Sequence, residues 1–332
     1  MVGVTPHTIS RCEIGKTMPT DENIAEFARV LDYPVEFFFG RDVNTPDPEL
    51  VSFRSQKAMT ASVRDAALAA GAIGFLISDW VESKFELPEI SVPDLNHYDA
   101  VAAAISLRQE WGLGHQPISN MVHLLESKGI RVFSLAENSK SVNAFSLWRD
   151  EKPYVFLNTM KTAENSRFDA AHELGHLVLH QDGKTTGRAA EEEANSFASE
   201  FLMPPADVLA HRAHLFSIKK MIQAKKRWRV SLAALNYRMH KLNLTTEWRY
   251  RDYCIQIASN YGQSEPEGID REKSVVWQKV MKALWAERVT QVDIARALHV
   301  PVDEVNTLIF GILYSGSNEQ PPRNGVLELI KK

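Results

Sequence analysis

Apolar positions recur along this chain mostly with helical spacing. Thr5 and Pro6 open a first short helix that Gly15 ends. A second, from about Asp21 to Leu31, carries Ile24, Ala25, Phe27, Ala28 and Leu31 on one side. The apolar run Ala66 to Ile77 lies within a helix expected over about 62–85, and further helices are expected over 99–111 and 117–128. Three strand-like runs follow, at 129–135, 144–148 and 154–158. The first two alternate and the third is nearly all apolar, so a small, mostly antiparallel sheet is expected. The last strand leads into a helix around residue 172 that Thr162 or Ser166 could cap. Another helix begins at Glu191, and helix-turn-helix rhythms occupy 229–239 and 289–308. The fold class is therefore α+β and mainly helical.

Composition narrows the class only a little. Of 332 residues, 44% are hydrophobic and 24% charged, as in ordinary globular chains large enough for more than one domain. The net charge of −4 means that any nucleic-acid surface must be local. Two distant cysteines, Cys12 and Cys254, are too few for a disulfide scaffold. With no basic-then-apolar leader, they point to the cytoplasm. The apolar run 66–77 is too short to span a bilayer, so no membrane partner is expected.

The chemistry concentrates at Ala171-His172-Glu173-Leu174-Gly175-His176-Leu177. Two histidines four apart share a helix face, so both imidazoles can reach one ion while Glu173 stands beside its water. Small Ala171 and Gly175 let another element approach. A zinc site needs a third protein ligand. In the run Glu191-Glu192-Glu193, only Glu191 falls on the apolar stripe of Ala194, Asn195, Ala198, Phe201 and Leu202. A carboxylate on a core-facing stripe is costly unless paired or metal-bound, so Glu191 is the expected ligand, with Asn195 one turn on hydrogen-bonding it. Glu192 and Glu193 read as a solvated helix start. His180, a further turn along the His face, reads as a buried structural histidine or as an outer partner of the site. Arg167 is open to a substrate backbone, to the surface or to the Phe156 strand.

Residues 167–180 (RFDAAHELGHLVLH), 191–204 (EEEANSFASEFLMP) and 111–166 upstream resemble the ImmA/IrrE family of metallo-endopeptidases over about residues 100–245. The resemblance implies a zincin-like domain with zinc on His172, His176 and Glu191, Glu173 as general base, and a protein substrate such as a repressor. Residues 3–39 (GVTPHTISRCEIGKTMPTDENIAEFARVLDYPVEFFF) resemble the XRE (Cro/repressor-like) helix-turn-helix family from its recognition helix onward. The two helices that precede that point in the family have no counterpart here, so a partial, N-terminally truncated module is expected. By this resemblance Thr5, His7 and Ser10 face base edges and Arg11 and Lys16 face phosphates.

The expected organisation is a partial helix-turn-helix (1–41), a linker (42–62), the peptidase domain with a helical lead-in (63–210), a helical region (211–315) and a tail (316–332). Ten basic residues between Lys219 and Arg251 are compatible with a nucleic-acid surface, a solvated basic helix pair or a dock for an acidic substrate. The would-be recognition helix near 302–308 carries Asp303 and Glu304 and no base, which argues against phosphate contact. Two functions follow from the sequence: a zinc endopeptidase that cleaves a regulator, or a DNA-binding regulator whose metal site is structural or sensory.

Overall fold

The computed structural model describes residues 3–40, 42–46, 52–53, 60–135, 144–181, 185, 187–262, 264–312 and 330–331. The chain opens with α1 (Pro6–Glu13) and α2 (Asp21–Leu31), then a 3-10 turn, Val35–Phe39. Thr5 and Thr20 cap the two helices by accepting from the backbone N–H of Thr8 and Asn23. Next come β1 (Ser52–Phe53), α3 (Ala61–Glu82), β2 (Phe85–Glu86), α4 (Ala100–Glu110) and α5 (Met121–Ser127). Strands β3 (Arg131–Leu135), β4 (Ala144–Arg149) and β5 (Lys152–Asn158) lead into α6 (Ala163–Leu179) and α7 (Gly187–Leu202). The remainder is α8 (Pro205–Ala210), α9 (Ile218–Trp228), α10 (Leu232–Lys241), α11 (Glu247–Tyr261), α12 (Val275–Ala286), α13 (Gln291–Leu298), α14 (Val302–Leu308) and β6 (Ile330–Lys331). The fold is thus mainly helical α+β.

The sheet runs β1-β4-β5-β3 and is buried on both faces. Val132, Ala144, Val155 and Leu157 pack into a core shared with α4 to α7. Phe133, Phe145, Tyr154 and Phe156 face α3, α12 and α14. Two buried faces explain why β5 reads as a continuous apolar run. The sheet is mostly antiparallel as expected, β1 with β4 and β4 with β5, but it is mixed: β3 pairs with β5 in parallel. Alternation reports which face a side chain takes, not which strand lies alongside. Both strands extend past the expected runs 144–148 and 154–158, so that Arg149 pairs with Lys152 and only Asp150 and Glu151, both at positive φ, connect them. That is the two-residue turn whose twist suits a tight hairpin.

Three other boundaries move. α5 starts at Met121 rather than Pro117, because the Asn120 side chain accepts from His123 N–H and makes Asn120 the cap. The linker contributes a strand: Ser52 and Phe53 pair antiparallel with Ser146 and Phe145. The expected tail lies outside the described residues apart from Ile330 and Lys331, which pair with Glu86 and Phe85. α3 is long and apolar enough to cross a bilayer by length and composition. Here it is the core helix over the sheet, with Ala67, Ile77 and Val81 fully buried. Cys12 and Cys254 are free thiols, and Cys254 is exposed.

The segment before α12 locks to the lead-in of α6 through two reciprocal carboxylates. Glu272 accepts from the N–H groups of Met121 (2.8 Å) and Val122 (3.2 Å) at the start of α5, and pairs with Arg167 on α6. Glu126, on α5, accepts from Val275 (2.9 Å) and Val276 (3.2 Å) at the start of α12, and from the Ser274 hydroxyl. Each helix start thus receives an acceptor from the other segment.

Candidate metal centre

Thr162, the first of the two expected caps, opens α6, and its hydroxyl accepts from Asn165 N–H. The helix then buries almost every residue from Asp169 to Leu179. α7 lies against it at close range: a Cβ on Gly175 would stand 3.1 Å from Phe197 Cδ1 and 3.2 Å from Ala194 Cα. That approach carries Glu191 over the histidine pair. His172 Nε2 and His176 Nε2 are 3.1 Å apart, and the Glu191 carboxylate oxygens lie 3.4 and 3.3 Å from them. Among the described residues these three form the one group of His, Cys, Asp or Glu side chains placed to hold an ion. Ligands about 2.0–2.1 Å from a tetrahedral ion stand about 3.3 Å from each other, so the separations suit a zinc-sized ion.

The outer partners suit it too. His172 Nδ1 meets Asn195 Oδ1 at 3.2 Å, so it carries the proton and leaves Nε2 as a lone pair. His176 Nδ1 meets His180 Nδ1 at 2.9 Å, and His180 Nε2 meets Glu193 Oε2 at 2.9 Å. With Glu193 ionised, His180 donates to it, accepts from His176, and turns the His176 Nε2 lone pair inward as well. Burial alone would push the Glu191 carboxyl up. With both imidazoles protonated, their hydrogen bonds and charge outweigh it and hold that carboxyl at about 2. With the Nε2 atoms as lone pairs, a cation bound between the three side chains would supply the positive charge instead.

Several sequence expectations change here. Asn195 contacts His172, not Glu191. The glutamate run is not a helix start, since α7 begins at Gly187. Glu192 answers Arg188 one turn back (2.7 Å), while Glu193 reaches His180. Arg167 touches neither the surface nor a strand: it is buried and donates to Glu272 and to the Ile118 carbonyl.

Glu173 is fully buried on the sheet side of α6, where the Ser146 hydroxyl of β4 donates to its Oε2 at 2.7 Å. Sequence reasoning missed Ser146. The only signal is a polar residue between Ala144 and Trp148 on the helix-facing side of the strand.

Thr5, His7, Ser10, Arg11 and Lys16 stand exposed on α1 and the turn after it, apart from the metal group. Thr5 is engaged as the α1 cap, and Arg11 Nε donates to Thr17 Oγ1. Much of the basic segment is neutralised internally. Lys225 is fully buried between Glu164 (3.1 Å) and Glu265 (3.2 Å). Arg238 is buried against Glu200 (2.8 Å), and Arg227 pairs with Asp207 (2.7 Å). A solvated basic helix pair therefore does not describe Lys225 or Arg238.

No curated protein matches the chain. Residues 125–240, which span β3 to β5, the metal group and α7 to α10, match the family model of the IrrE N-terminal-like domain, a peptidase family. This match and the group of buried His172 and His176 with partly buried Glu191 together support a metallopeptidase domain within the chain.

Proposed function

We propose that the chain is a zinc-dependent endopeptidase that cleaves a regulator protein such as a repressor. The observation that carries this reading is the histidine pair with Glu191, whose outer hydrogen bonds aim both Nε2 lone pairs at one point. Two nitrogens and a carboxylate are the donor set of a catalytic zinc with one position left open. Zinc held there would supply a Lewis acid for the scissile carbonyl and acidify a water. Glu173 takes the proton from the attacking water and hands it to the leaving amine. Ser146 fixes the Glu173 rotamer, so the carboxylate meets the substrate already oriented. His180 and Asn195 hold the two imidazoles.

A helix-turn-helix-like segment in the same chain supports a regulatory substrate, and the match to the IrrE N-terminal-like family supports peptide hydrolysis. The test is incubation of the zinc-loaded chain with candidate helix-turn-helix regulators, with and without a chelator. Chelator-sensitive production of new N-termini is expected. Full zinc occupancy with every candidate left intact would count against the reading.

A further inference from the structure

A cleft of about 1100 Å³ runs away from the metal group between α6, α7 and α10. On α6 it is lined by Asn165, Phe168 and Asp169, which lie seven, four and three residues before His172 and therefore on the same helix face. On α7, Glu191, Asn195 and Ser199 follow at four-residue steps. The metal ligand, the partner of His172 and the cleft wall thus form one continuous row. Ser199 sits eight residues past Glu191, about 12 Å along the axis. An extended peptide advances about 3.3–3.6 Å per residue, so Ser199 faces the third or fourth residue from a bond cut at the metal.

The lining defines the chemistry of that residue. Phe168, Tyr237 and Leu242 offer aromatic and aliphatic walls. The ionised groups are already matched. Lys161 pairs with Asp169 (3.2 Å), Arg238 with Glu200 (2.8 Å) and Glu192 with Arg188 (2.7 Å), while Lys241 lies over the Tyr237 ring. Their charges are already compensated, which disfavours a charged side chain. Two buried polar atoms of the lining do lack a partner among the described residues. One is Ser199 Oγ, in a residue 4% exposed, and the other is Glu200 Oε1. Buried polar atoms are ordinarily hydrogen-bonded, so these mark where a ligand's polar group belongs.

Resting on the peptidase reading, we propose that this cleft is a specificity site for a neutral aromatic side chain with a hydroxyl tip. A tyrosine three or four residues from the scissile bond would have its ring between Phe168 and Tyr237 and its hydroxyl on Ser199.

Two measurements on the full chain test this. The first reads binding of N-acetyl-tyrosinamide and N-acetyl-phenylalaninamide by NMR, without any cleavage. One neutral hydrogen bond corresponds to roughly two- to tenfold in affinity, so the tyrosine probe is expected to bind tighter by that factor. Ser199→Ala is expected to erase the difference, and Tyr237→Ala, at an exposed ring, to weaken both probes. Equal binding by the wild type, or a preference that survives Ser199→Ala, overturns the assignment. The second reads cut sites in a random peptide library treated with the zinc-loaded chain, where tyrosine is expected to be enriched three or four residues from the cut. Cleavage without that enrichment overturns the cleft and leaves the peptidase reading standing. Probe binding as expected with no peptide cut upholds the cleft and overturns the peptidase reading.

Discussion

Replacing Asn195 with alanine removes the acceptor that fixes the His172 tautomer. His172 is fully buried, so its Nδ1–H loses its 3.2 Å partner where water does not readily replace it. Loss of such an outer partner typically weakens a metal site by about 10–100-fold, or roughly 1.4–2.7 kcal/mol. His180→Ala should fall in the same range, because His180 is almost as buried and supports His176. Glu193→Gln should cost less, under about tenfold. Its carboxylate is half exposed and solvent can answer His180 in its place. The assay is competition for zinc against a chromogenic chelator of known affinity, with circular dichroism as a control for folding. The expected order of loss is Asn195→Ala and His180→Ala together, then Glu193→Gln. Wild-type zinc affinity in folded Asn195→Ala, or a larger loss for Glu193→Gln, would refute the hydrogen-bond account of the site.

Other consequences concern the frame around it. Gly175→Val puts a branched side chain where a single Cβ already meets Phe197 and Ala194. It should separate α6 from α7, destabilise the chain by about 1–3 kcal/mol in denaturant titration and weaken zinc binding with it. Glu272→Ala strands the buried Arg167 and uncaps α5. A loss of about 3–5 kcal/mol is expected by the same titration, and a loss below 1 kcal/mol would show that the clasp is not structural. Burial raises the Glu126 carboxyl to about 7, above its ordinary 4.5. Its contribution is therefore full below about pH 4.5 and is lost as pH rises through 7, on the order of 3 kcal/mol in all. Glu126→Gln keeps an acceptor for Val275 and Val276 and should flatten the melting temperature between pH 5 and 8.

How much of this was legible in the sequence depended on whether one element or two were involved. Helical spacing alone put His172 and His176 on one face, and the apolar stripe of α7 singled out Glu191. Gly175 was readable as a point of close approach because it stood beside the histidines. The partners of those side chains were not readable in the same way. Asn195 was assigned to Glu191 because both lie on α7, yet its side chain crosses to α6. Ser146 reaches Glu173 from β4, and Glu272 reaches Arg167 from over a hundred residues away. Charge runs misled for a similar reason. Lys225 and Arg238 look like part of a basic surface until the burial of Glu164 and Glu200 beside them is known. Strand direction was also hidden, since β3 shows the same alternation beside a parallel neighbour as it would beside an antiparallel one.

The central claim is that Glu173 is the base of a zinc site formed by His172, His176 and Glu191. Its most direct test compares the wild type with Glu173→Gln and His172→Ala, each measured for bound zinc and for new N-termini generated in the candidate helix-turn-helix regulators. Glu173→Gln is expected to hold zinc at about one per chain and to generate no new N-termini, and His172→Ala to lose zinc and cleavage together. Cleavage by Glu173→Gln at the wild-type rate would contradict the account.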